Sequence, residues 1–217
     1  MSLRPDLKAS VLSSTAKVSA PTRAQTILSR LWLLAGGTVG ALVIFFARGG
    51  VRPTGRPAML MTLTTLGTSL FVGVGMYLLF TRPPRSMLPR HPRSLLAIAV
   101  VSALAFVSWR YGVSLLYGSV EPWPSRVGLR CLALGVLTGA LPLLAALVAW
   151  RRTDPLSPAA TGAAFGAGAG LGSAVLTDLW CPVSYPPHLV LGHVLPILLL
   201  ALIGAAVGRV ALGIRRR

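Results

Sequence analysis

Six apolar stretches, each close to the length a lipid bilayer demands, dominate this sequence, and short segments rich in arginine separate them. They run over residues 31–47, 57–80, 94–109, 130–150, 159–180 and 189–208, the third with an interfacial extension as far as Tyr117. A spanning helix needs about 17–25 predominantly apolar residues. The apolar residues come in continuous blocks, without the amphipathic or alternating period of a half-buried helix or strand. Only 12% of the residues are charged and 54% are hydrophobic, against about 25% charged in a soluble domain. The fold expected is therefore all-α: a polytopic membrane bundle of six transmembrane helices.

The charge imbalance, 21 Lys and Arg against 4 Asp and Glu, would suit a nucleic-acid-binding surface. Its distribution argues otherwise, because the basic residues sit in clusters between apolar blocks, where they set topology. Arg4, Lys8, Lys17, Arg23 and Arg30 precede the first block, Arg82, Arg85, Arg90 and Arg93 separate the second and third, Arg151 and Arg152 the fourth and fifth, and Arg215–Arg217 end the chain. The alternate connections carry fewer, among them Arg48, Arg52, Arg110, Arg126 and Arg130, and the last carries none. The positive-inside rule then places both termini in the cytoplasm. Trp109, Tyr111, Tyr117, Trp123, Trp180 and Tyr185 fall near the expected outer ends, and Trp32 and Trp150 near the inner ones, as amphipathic rings at headgroup level would.

This reading divides the chain into a cytoplasmic N-terminal tail, residues 1–28, and a membrane domain, residues 29–217. The tail is polar, so the N-terminus is not a secretory signal peptide. Within it Leu7, Val11 and Leu12 share one face of a short helix opened by Pro5, an edge suited to a partner's groove.

Chemistry-bearing residues are few. Asp178, close to the end of the fifth block, is the acidic residue nearest a span, and interfacial solvation accounts for it. Proton relays and transport paths use ionisable groups inside the membrane, and the interiors of the blocks are almost free of them, which disfavours a small-solute transporter or channel. No acidic partner completes a Ser–His triad and no phosphate-binding loop is present, so no enzyme is expected. Gly162, Gly166 and Gly170 recur every four residues in the fifth block, a spacing that lets helix backbones approach closely. They serve packing inside the bundle or a homo-oligomer face.

Cys131 opens the fourth block and Cys181 closes the fifth, which brings both to the same membrane face. There is no CxxC, which removes thioredoxin-like chemistry. His188 and His193 follow Cys181-Pro182. Thiolates and imidazoles hold zinc and softer metals, two thiols also form disulfides, and buried cysteines also simply pack.

Cys131 at the start of one span, the Arg151-Arg152 break before Pro155 and Pro158, the Gly/Ala-rich fifth span, Cys181-Pro182, and a closing span with Gly204 and Gly208 together resemble the bacterial integral-membrane anti-sigma factors of the negative-regulator-of-sigma-F (NrsF) type. The resemblance covers the whole chain and is strongest over residues 127–217. It implies a protein that holds an extracytoplasmic-function sigma factor at the inner membrane and releases it on an envelope, metal or oxidative signal. It implies that Cys131 and Cys181, and no other residues, sense that signal, through a transient soft metal ion or oxidation; His188 and His193 are candidate further ligands by residue type alone. It implies that the cytoplasmic parts, including the tail with Leu7, Val11 and Leu12, hold the sigma factor. The partners implied are that sigma factor and the lipid bilayer, with no direct contact to nucleic acid.

Overall fold

A computed structural model describes residues 23–52, 57, scattered positions between 59 and 70, 91–117, 128–151, 157–183 and 185–213. The tail residues Leu7, Val11 and Leu12, most of the second expected span, and the Arg82, Arg85 and Arg90 connection lie outside the described residues.

The described residues form helices and no strand. Helix α1 runs Arg23–Ala47, α2 His91–Tyr117, α3 Leu129–Ala149 and α4 Pro158–Trp180. A last helix combines α5, Pro186–Leu189, a π-helical turn, Val190–Val194, and α6, Leu195–Ala211. Among the described residues, four helices are long and apolar enough to cross a membrane: Ala24–Ala47, Leu129–Ala149, Pro158–Trp180 and Pro186–Ala211, of 24, 21, 23 and 26 residues. At 1.5 Å per residue, even the shortest covers about 30 Å, the thickness of a hydrocarbon core. Pro158 and Pro186 open their helices, where the missing N–H costs nothing. Pro142 lies inside α3, a placement that membrane helices tolerate.

Among the described helices, α1, α2 and α4 end, and α3 and the last helix begin, at one end of the bundle. There the residues after α1, the start of α3, the end of α4 and the start of the last helix come together. Arg52 N–H donates to the Leu179 carbonyl, the Trp180 indole donates to the Arg48 carbonyl, and the Arg52 guanidinium lies 4.3 Å from the Trp180 ring centroid. The C-terminal part of α2 joins the same end, where Trp109 donates to Thr64 Oγ1 at 2.7 Å. At the opposite end Arg30 Nε donates to the Ala149 carbonyl at 3.2 Å, and its guanidinium covers Trp150.

Helix α4 is the centre of the bundle. Phe165 packs with Trp150, Leu147, Leu200 and Leu212 at one level. Leu171, Ala174 and Val175 meet Phe106 and Ile197 at the next. Gly162, Gly166 and Gly170 all face α6. A Cβ at Gly162 would collide with the Gly204 carbonyl, one at Gly166 with the Leu200 carbonyl, and one at Gly170 would stand 2.6 Å from Ile197 Cα. The expected glycine face is thus spent on contact within the chain. The buried hydroxyls of Thr138, Ser173 and Thr177 donate back to Leu134, Gly170 and Ser173 carbonyls, so they add no unmet polar group. Outward faces are apolar: Val43, Phe46, Leu144, Leu198 and Leu202 are exposed, a surface suited to lipid and prone to aggregate in water.

Several expectations are corrected. Helix α1 begins at Arg23, ahead of the apolar block that starts at Leu31, and Arg30 within it is anchored on Ala149 and Trp150. The expected extension of the third span is helical, since α2 continues unbroken to Tyr117, but Arg110 is a buried helix residue rather than a loop charge. Trp150, expected as an interfacial ring, is buried against Phe165, with ring centroids 5.3 Å apart.

Candidate functional site

The end of the bundle where α3 starts and α4 stops collects the chain's thiols and two of its histidines. Gly128 precedes α3 with φ +83°, a left-handed conformation that a side chain disfavours. A Cβ there would meet the His188 carbonyl at 3.1 Å and Gly192 N at 3.2 Å. On the other side of the seam, a Cβ on Gly192 would stand 2.8 Å from the Cys131 Cβ. Two glycines therefore let the first turn of α3 lie directly on the π-helical turn. That contact, with the chain leaving α4 at Cys181, assembles the site.

Cys131, Cys181, His188 and His193 are all buried, and one ligand atom from each lies within 4.8 Å of the others. His188 Nε2 stands 3.3 Å from Cys131 Sγ and 3.2 Å from Cys181 Sγ. The His188 and His193 ring centroids are 5.9 Å apart. Both cysteines are free thiols. Val183, Trp180 and Tyr185 pack around them. Beyond the end of α4, the Cys181 thiol is held below its ordinary value, first by the Cys131 thiol as a hydrogen-bond donor, then against burial by the His188 and His193 imidazoles. A thiol so placed is biased toward the thiolate, the form that binds metal and reacts with oxidants. The donor set of two sulfurs and two imidazoles is one that zinc and softer ions accept.

Sequence reasoning named all four residues but missed what adjoins them. Asp178, expected to be solvated at the interface, is buried, and its Oδ1 meets Arg110 Nη2 at 2.6 Å. Burial of two charges without an opposite partner would be prohibitive, so the pair ties α2 to α4 one turn before Cys181. The signal was present: an acidic residue inside an apolar block calls for a named partner, and Arg110 is the basic residue interrupting the third block. Gly128 and Gly192 gave no such signal, since nothing local distinguishes them from the chain's other glycines.

Fold and site together define a helical protein with membrane-length spans that carries a buried two-cysteine, two-histidine cluster at one end of its bundle. The family model for the negative regulator of sigma F, NrsF, matches residues 12–213, and the chain belongs to that family. No curated protein and no solved structure matches it.

Proposed function

We propose that this protein is an anti-sigma factor of the bacterial inner membrane, a six-span bundle with both termini in the cytoplasm. It holds an extracytoplasmic-function sigma factor through its cytoplasmic parts and lets it go when an envelope, metal or oxidative signal alters the Cys131–Cys181 site. It acts by binding, not as an enzyme. The observation that carries this reading is the family match over nearly the whole chain. The shared end supports the topology, because the Arg48–Arg52 segment, the start of α3 and the end of α4 come together there. The opposite end, with Arg30 and Trp150, is the one that the basic connections assign to the cytoplasm. The tail residues Leu7, Val11 and Leu12 supply an apolar helix edge for the sigma factor. A change at the cluster alters how α3 and α4 sit against each other. A tenfold change in sigma affinity asks only about 1.4 kcal/mol of difference between two such arrangements.

One observation favours a second reading, a small-solute transporter: the buried Arg110–Asp178 pair supplies ionisable groups inside the bundle. The pair closes on itself within the packed seam, and this makes it a strut before a pathway.

The test is capture. The tagged full chain, purified from membranes, is expected to bring a sigma factor with it, and deletion of residues 1–20 is expected to lower that yield while the bundle still inserts. Purification of the full chain with no sigma factor bound, under conditions that preserve membrane complexes, would contradict the reading.

A further inference from the structure

His188 Nε2 stands within hydrogen-bond distance of both cysteine sulfurs. His193 differs. Its side chain is 2% exposed, and neither ring nitrogen reaches a hydrogen-bond partner. A buried polar group left unmet costs about 1–3 kcal/mol. His193 also stands in the π-helical turn Val190–Val194, a local departure from α-geometry that recurs at functional sites. Nothing in the packing of an apolar helix requires either feature. Both follow if the turn exists to aim this imidazole at Cys131, Cys181 and His188.

We propose that Cys131, Cys181, His188 and His193 form a closed four-ligand centre that holds one zinc-class divalent ion in the resting protein. This rests on the proposed function only for its consequence, not for its geometry. With metal–sulfur bonds of about 2.3 Å and metal–nitrogen bonds of about 2.0–2.1 Å, neighbouring donors of a tetrahedral site stand roughly 3.3–3.8 Å apart. The two sulfur–His188 distances, 3.3 and 3.2 Å, lie at and just below the short end of that range, and all four ligand atoms lie within 4.8 Å of one another. Mixed thiolate and imidazole donors suit zinc and its softer congeners. Hard oxygen-seeking ions are disfavoured, because the nearby carboxylate, Asp178, is engaged by Arg110.

The ligands come from three places: the first turn of α3, the residue after α4, and the start of the last helix. An ion held by all four staples three helix ends at one point. The resting protein is then the loaded one. A signal acts by displacing the ion with a thiophilic metal, or through a two-electron oxidant of the peroxide class that takes the two thiolates to a disulfide, is itself reduced to water or alcohol, and frees the ion; either loosens the staple, rather than delivering a first ion to an open site.

The experiment is metal analysis of the full chain purified in detergent without added metal, with cobalt substitution as a second readout. One equivalent of zinc per chain is expected, and cobalt exchanged into the site should give the visible absorption of tetrahedral thiolate coordination. His193→Gln should lose the stoichiometric zinc, whereas His193→Cys, which restores a ligand, should keep it; a residue that merely packs would not distinguish the two. Parent-like elution in size-exclusion chromatography identifies variants that remain folded. A parent protein that carries no zinc and gives no tetrahedral cobalt spectrum would overturn the inference, as would zinc retained in full by His193→Gln. Sigma capture by a chain that binds no metal would end this inference and leave the proposed function standing. Stoichiometric zinc in a chain that captures no sigma factor would support the metal centre and end the functional reading.

Discussion

Arg110 on α2 and Asp178 on α4 form an ion pair of 2.6 Å with both side chains almost fully buried. It stands one turn from Cys181, so the helix that carries the second cysteine is tied to α2 beside the cluster. Removing one partner leaves an uncompensated buried charge, at a cost of about 3–5 kcal/mol, whereas replacing both with apolar residues of similar volume is far milder. Arg110→Met and Asp178→Leu are each expected to lower thermal stability in detergent sharply, and the double variant to recover most of it. Single variants that melt like the parent would show that the pair is not a structural tie.

Helix α4 supplies a second, steric prediction. Gly166 faces the Leu200 backbone, while a Cβ at Gly168 meets nothing within 4 Å. Gly166→Ala should destabilise the bundle, with overpacking of this kind costing about 1–3 kcal/mol. Gly168→Ala should be neutral or slightly stabilising, since alanine favours a helix. Equal melting temperatures for the two variants would mean that α4 and α6 do not approach as closely as described.

How much of this was legible in the sequence depends on whether the information is local. The ends of α3 and α4, Leu129–Ala149 and Pro158–Trp180, fall within one residue of the expected blocks, because long apolar runs and their bounding Arg and Pro residues are properties of neighbouring positions. Cys131 and Cys181 could be assigned to one face by counting spans. The Arg110–Asp178 pair could not be read this way, since it depends on which helices pack and at what rotation. The burial of Trp150 was hidden for the same reason: a ring at a block's end serves equally as a headgroup anchor or, as with Phe165 beside it, as a packing residue. The convergence of His193 on the cysteines needed the π-helical turn and the two glycines at the α3 seam, which have no pattern of their own along the chain.

Topology gives the third prediction. A periplasm-active reporter fused after Arg52 or Tyr185 should be active, and one fused after Arg85, Thr153 or Arg217 should be silent. Activity at Arg85 would rule out the six-span arrangement with both ends in the cytoplasm, since it would move the most basic internal connection outside.

The central claim is that the cluster at this end of the bundle governs release of a sigma factor at the other. Its most direct measurement is transcription from a promoter driven by the captured sigma factor, in cells carrying the parent, Cys131→Ser, Cys181→Ser or the double variant, before and after challenge with a thiophilic metal or an oxidant. The account predicts that the parent represses until challenged, and that the cysteine variants have lost the difference between the two conditions. Variants that repress as tightly as the parent and respond to challenge as fully would contradict it, and would reduce Cys131 and Cys181 to packing residues.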